Sequence, residues 1–336
     1  MEKNKVKLVQ LSHKQARYIA LVAEPQLLII AQFDSIYELA LCAIANKITL
    51  TQLIDDHLTT TTLDYDDVYL GNSEWKLLPA FDHPTQSSAC LVSGTGLTHK
   101  NSALNRQMMH QGEQKLTDSM VMYQWGVDGG SPKEDEIGVQ PEWFFKGHGD
   151  VLKAHGQHIN VPIYGDDGGE EPEIAGVYII GPDGQPYRIG FTTGNEFSDH
   201  VMEKKNYLYL APSKLRECAI GPELLITDDF DSFTGTVAIE RNGQNIWQAE
   251  VRSGESNMAH NLANLEHHHF KYDAHRIPWQ AHVHFMGADA FSFGSNIALQ
   301  DGDLMKVHWQ ELGRPLKNHI SIAPKKEQLI TVKALT

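Results

Sequence analysis

Apolar and polar positions along the chain follow two periods, and the period changes where turn residues fall. In YIALVAEPQLLIIAQF, residues 18 to 33, two short apolar runs flank Glu24-Pro25-Gln26, which predicts two strands around a turn. The next stretch, SIYELALCAIANK, has helical spacing. Ile36, Leu39, Ala40 and Ala43 fall on one face, and Ser35 with Glu38 has capping-box spacing. Thr49 and Gln52 repeat that signal for a second helix ending near His57. Polar threonines and aspartates then close a small α/β unit around residue 80, and we set the domain boundary between residues 88 and 89.

Residues 107 to 140 are rich in Met, Gln and Gly and have no strand period. SMVMYQWG reads as a short helix and DGGSPKEDE as a charged turn. The whole stretch is either an active-site lid or a mobile surface loop. From residue 140 onward short strands dominate: VYIIG, YRIGF, TGTVAIE and IWQAEVR. RNGQ at 241 to 244 sets Asn-Gly between two alternating runs, a hairpin signal. The expected class is α+β. Residues 1–88 form a small α/β domain, and residues 89–336 form a mainly β catalytic domain with a few short helices.

Composition narrows the function classes. Of 336 residues, 41% are hydrophobic and 21% charged, ordinary for a globular enzyme. A net charge of −15 with no basic block argues against nucleic acid as a partner. The longest strongly apolar run, LALCAIA at 39 to 45, is too short to span a bilayer. Cys42, Cys90 and Cys218 are widely spaced and form neither a CxxC pair nor a disulfide framework. With no apolar signal core in MEKNKVKLVQ, a reducing cytoplasm is the expected location.

The candidate chemistry starts at GGEEPEI, residues 168 to 174. Residues two apart in a strand share a face, so Glu171 and Glu173 share one with Ala175, Val177 and Ile179. That face looks buried and carries no Lys or Arg. Two buried carboxylates without a cation repel each other and lose hydration, and a hard divalent metal is the simplest remedy. Glu196, in IGFTTGNEFSDH, offers a third carboxylate from a neighbouring strand. A solvated acidic strand end is the alternative reading of the same residues. Lys214, in APSKLRECAIGPE, is a candidate base whose pKa falls beside a metal; it is otherwise an exposed loop lysine. His99 ends SGTGLTH, where glycines admit close backbone approach to a ligand; it is otherwise a helix cap. The tracts His267-His268-His269 and His282-Val283-His284 lack the further ligands of a zinc site and default to solvated or core histidines. There is no dinucleotide or phosphate-loop fingerprint and no GxSxG elbow.

Several of these segments, in order, resemble the fumarylacetoacetate hydrolase family. EPEIAGVYIIG and GFTTGNEFSD resemble its ExELAVVIG and GYTxANDxSARD. EWFFKG at 142 to 147 resembles its FFxKP, GTGLTH at 94 to 99 its GxNYxxH, and LQDGDLMKVHWQELGRPLKNHI at 299 to 320 its C-terminal pattern. The likeness spans roughly residues 90 to 320. It implies a β-rich roll, usually dimeric, holding Mg²⁺ (or Mn²⁺ or Ca²⁺) on three carboxylates. Glu171, Glu173 and Glu196 take the metal positions, Glu196 replacing the usual aspartate. Lys214 and His99 take the catalytic ones. Thr95 and Asn195 are expected substrate contacts, and Lys146 is a third, or else pairs with a carboxylate or supports its strand.

Two departures matter. The HxxE glutamate that pairs with the family histidine to activate water is replaced in His99-Lys100-Asn101-Ser102, and the SARD arginine by His200. The first weakens the case for C–C hydrolysis. GGEEPEIAG, SGTGLTH and GNEFSDHVMEKKNYLYLAPSKLR most resemble a branch associated with sugar-acid catabolism. That likeness implies dehydration of a 2-keto-3-deoxy-L-arabinonate-like acid to a 2-oxo acid semialdehyde. An acylpyruvate-type hydrolase, an oxo-acid decarboxylase and a non-catalytic sugar-acid binding protein remain the alternatives. The expected partners are a small 2-keto acid and a second copy of the chain.

Overall fold

The computed structural model describes residues 6–109, 117–324 and 327–336. Residues 110–116, within the stretch expected as lid or loop, lie outside them. The N-terminal region contains β1 (Val6–His13), β2 (Ala16–Ala23), β3 (Gln26–Ile30), helices α1 (Ile36–Asn46) and α2 (Leu50–His57), β4 (Leu58–Asp64), α3 (Tyr65–Tyr69) and β5 (Lys76–Leu77). Both expected caps are present. Ser35 Oγ accepts from Glu38 N, and Thr49 with Gln52 forms a full capping box. Ile36, Leu39, Ala40 and Ala43 are buried as the helical period requires.

Next come β6 (Cys90–Gly96), α4 (Lys100–Met109), α5 (Asp118–Gly129), β7 (Glu142–His148), β8 (Leu152–Lys153) and β9 (Ile159–Val161). They lead into β10 (Pro172–Ile180), β11 (Pro186–Asn195), α6 (His200–Lys205), α7 (Leu210–Lys214) and β12 (Cys218–Ile226). The chain continues through β13 (Phe233–Arg241), β14 (Gln244–Ser253), α8 (Leu262–Phe270), β15 (Ala281–Phe285), β16 (Leu304–Trp309) and β17 (Leu316–Ile322). The Asn-Gly hairpin joins β13 to β14, with Asn242 and Gly243 both at positive φ, 52° and 75°.

Two sheets hold these strands. One has twelve strands, with the path β4-β3-β2-β1-β12-β11-β10-β15-β6-β7 and with β5 and β8 off it; the other runs β14-β13-β16-β17-β9. The strands of residues 1–88 are thus not a separate sheet. β1 pairs antiparallel with β12, Val6 opposite Ile226, and joins them to the larger sheet. One core also crosses the boundary. Ile36, Leu39 and Leu53 pack in the same cluster as Val92, Ala175, Val177, Ile179 and Phe285. On the opposite face of β10, Ile174, Tyr178 and Ile180 pack with Val237, Val307 and Trp309 of the smaller sheet. The period of two therefore sends odd residues of β10 toward α1 and even ones toward the second sheet. Among the described residues, no helix is long and apolar enough to cross a membrane.

Candidate metal and catalytic site

The start of β10 and the end of β11 bring the carboxylates together. Pro172 pairs with Asn195 and Glu173 with Gly194. Glu196 N donates to Glu171 O at 3.0 Å, and Gly169 and Ser198 exchange two backbone bonds. Glu196 is thereby set across from Glu171. One carboxylate oxygen from each of Glu171, Glu173 and Glu196 lies within 4.8 Å of the others, and all three residues are buried.

The missing positive charge arrives from two other elements. Lys214, closing α7, donates to Glu171 Oε1 and Oε2 at 3.0 and 3.1 Å, to Glu196 Oε2 at 2.6 Å and to Ser198 Oγ at 2.7 Å. Its ammonium also lies 4.7 Å above the Phe144 ring and 3.5 Å from Glu203 Oε1. Lys146, from β7, lies 2.6 Å from Glu196 Oε1 and donates to the Phe197 carbonyl at 2.7 Å. Burial would raise the pKa of Glu171, but the Lys214 charge and the His200 ring outweigh it and hold the carboxyl well below its ordinary value. Glu173 goes the other way. Burial, then repulsion from Glu196 and Glu171, pushes it well above the ordinary value.

Glu173 shows why the donor set fits a cation. Its Oε2 takes the Gly287 N–H at 2.6 Å, yet neither lysine contacts it among the described residues. At that corner repulsion from Glu196 and Glu171 outweighs the Lys214 charge that reaches it. Three carboxylate oxygens at this spacing suit a hard divalent ion of the Mg²⁺, Mn²⁺ or Ca²⁺ kind.

His99 lies at the mouth of α4, 1% exposed. Thr98 spends its hydroxyl hydrogen on Met286 O at 2.9 Å, so its oxygen must accept from His99 Nδ1, also at 2.9 Å. This assigns the Nδ1–H tautomer. It leaves Nε2 a buried lone pair with no hydrogen-bond partner among the described residues. Burial drives the pKa down to about 4, with Asp289 partly opposing. His99 is a neutral acceptor at neutral pH and is not set up as the proton donor.

The three expected substrate contacts each have a partner within the chain. Thr95 pairs with Trp143 across β6 and β7 and shares its face, opposite to the one bearing Phe144 and Lys146. Its hydroxyl meets His284 Nε2 at 2.8 Å, away from the carboxylates. Asn195 supports backbone: Oδ1 accepts from Glu171 N at 3.2 Å, and Nδ2 points to Met305 Sδ at 3.6 Å. Lys146 is fully buried, with its ammonium paired to Glu196 and donating to the Phe197 carbonyl.

Glu142 went unread in the sequence. The signal was the same alternation, since Glu142, Phe144 and Lys146 are the buried positions of β7. Its Oε2 accepts from the Tyr207 hydroxyl at 2.6 Å, and its carboxylate packs on Gly96. His268, His269, His282 and His284 are buried and His267 is exposed, and His267, His268 and His269 belong to helix α8, not a strand. Trp143 Nε1 donates to His269 Nδ1, His269 Nε2 then donates to His282 Nδ1, and His282 Nε2 to Gln280 Oε1. Each ring is neutral in that directed chain.

The fold is one found in solved structures of a sugar-acid dehydratase and of an isomerase. A 2-keto-3-deoxy-D-arabinonate dehydratase superposes with a TM-score of 0.70 at 18% identity, over 95% of this chain and 100% of its own. The same enzyme complexed with magnesium and 2,5-dioxopentanoate gives 0.69 at 18% identity and the same coverage. A 5-carboxymethyl-2-hydroxymuconate delta-isomerase from Mycobacterium smegmatis gives 0.56 at 15% identity, over 94% and 100%. At such identities the likeness establishes the fold. No family model and no curated protein matches the sequence.

Proposed function

We propose that the chain is a metal-dependent dehydratase of the fumarylacetoacetate hydrolase family acting on a 2-keto-3-deoxy sugar acid such as 2-keto-3-deoxy-L-arabinonate. The observation that carries this reading is the buried triad Glu171, Glu173 and Glu196 with the Lys214 ammonium 2.6 Å from Glu196. The triad would hold Mg²⁺ or a similar ion, which, when bound, polarises the 2-keto group and acidifies the C3 hydrogens. Lys214 in its neutral form takes a C3 proton. The electron pair left behind expels the C4 hydroxyl, which leaves as water once protonated. Glu142, two residues along the inward face of β7 from Phe144 and hydrogen-bonded to Tyr207, would relay that proton. The product of that loss is a C3=C4 enone; a proton then leaves C5 and one returns to C3, and the resulting C4=C5 enol tautomerises to a 2-oxo acid semialdehyde. No water attacks carbon, consistent with Ser102 in place of the HxxE glutamate.

A second reading rests on His99. A neutral ring with a bare, buried Nε2 is what activation of water requires. It favours an acylpyruvate-type C–C hydrolase. Incubating the protein with Mg²⁺ and 2-keto-3-deoxypentonates, with products identified by mass, separates the two. Semialdehyde formation supports dehydration, whereas pyruvate and a second fragment mean carbon–carbon cleavage. Homodimeric assembly and a cytoplasmic location belong to the same proposal and rest on the family resemblance. Sedimentation checks the dimer.

A further inference from the structure

The glycine pair ahead of the two glutamates makes room for rings. A Cβ on Gly168 would lie 2.7 Å from Val161 Cγ2 and collide with Phe197. One on Gly169 would lie 2.6 Å from Cε1 of His200 and collide with its Nδ1. His200 is itself 1% exposed. It stacks on Phe291 with centroids 4.6 Å apart and planes 7° apart, and Phe293 leans on it at 5.1 Å. The loop carrying both phenylalanines is latched by Glu170, whose fully buried carboxylate accepts from Ser292 N at 2.6 Å and Ser292 Oγ at 2.8 Å. Glu170 is adjacent in sequence to Glu171, so the latch and the ligand share one stretch of backbone.

The held ring has one polar contact with the triad: Nε2 lies 2.9 Å from Glu171 Oε1. A carboxylate can only accept, so Nε2 carries the hydrogen. We infer that His200 is the positioning residue for the metal site, fixing the Glu171 carboxylate toward Glu173 and Glu196. Gly169, Phe291 and the Glu170–Ser292 latch fix the ring in turn. This rests on the reading that the triad binds a divalent ion. Partners that orient a ligand typically change metal affinity about 10- to 100-fold when lost.

The test is Mn²⁺ and Mg²⁺ affinity of the full chain by calorimetry. His200→Phe retains the stack and the packing on Gly169 but lacks the N–H. It should weaken binding roughly 10- to 100-fold while the melt stays cooperative. His200→Gln returns an N–H at similar reach and should recover most of the loss, a rescue that a merely space-filling role would not give. Gly169→Ala, which displaces the ring without changing its chemistry, should weaken binding in the same direction. If His200→Phe does not fold, Gly169→Ala and Phe291→Leu decide the matter. Variants binding within about twofold of the parent, while Glu171→Gln loses the ion, would overturn the role of His200 and leave the metal reading standing. A parent chain that binds neither ion would overturn both.

Discussion

Two ammonium groups share the single carboxylate of Glu196, and their losses should differ. Lys146 has no second acidic partner among the described ion pairs. Lys146→Met should cost about 3–5 kcal/mol, because it removes one partner of a buried pair. Urea denaturation measures it, and a loss below about 1 kcal/mol would mean that Glu196 does not need this cation. Lys214 competes with any ion for Glu171 and Glu196. Lys214→Met should therefore bind Mn²⁺ at least as tightly as the parent while C3 hydrogen exchange of a 2-keto acid in deuterium oxide stops. Weakened Mn²⁺ binding together with unchanged exchange would remove Lys214 from the base role. The alternation of β10 was enough to place Glu171 and Glu173 side by side in the sequence. It could not show that Lys146 reaches Glu196, which depends on how β7 meets a loop some fifty residues later. The face of Thr95 was hidden for the same reason, since it is set by pairing with Trp143.

At the scale of elements, local chemistry sets the boundaries. Ser35→Ala removes the side chain that accepts from Glu38 N and should lower stability by about 1 kcal/mol. Gly243 has nothing within 4 Å of where a Cβ would sit, yet its φ is +75°. Gly243→Ala should therefore cost about 1 kcal/mol through backbone conformation alone. Urea titrations of both variants check these values. Caps and turns of this kind were legible because their residues lie within four positions of each other. VKLVQLSH, which forms β1, was not read as a strand. Its partner β12 lies far along the chain and leaves no local mark. The run of three histidines gave no helical signal either, and α8 is held by Leu262, Leu265 and Phe270 packing on the second core.

At the scale of the molecule, buried histidines should govern acid stability. Burial, then neighbouring histidine charge, depresses His282 and His284 to about 3, and burial depresses His155 and His260 to about 4. Each is neutral when folded and has an ordinary value near 6.5 when unfolded. Their contribution is complete above pH 6.5 and is lost as the pH falls toward 4 and 3, because the unfolded chain binds more protons. For His282 or His284 this amounts to about 2 kcal/mol between pH 6.5 and 5. Melting temperature should fall over that range, and His282→Gln should flatten its dependence on pH. A slope unchanged by that substitution would count against His282.

The pairing of β1 with β12 has a consequence for biosynthesis. The first strands leave the ribosome with their apolar residues already committed to a sheet whose next member, residues 218 to 226, is still untranslated. At about 5–20 residues per second the nascent hairpin waits roughly ten to forty seconds with an open edge. During that interval its best available partner is the same hairpin on a neighbouring nascent chain. Yield on expression should therefore respond more to translation speed and chaperone supply than to the strength of the finished fold.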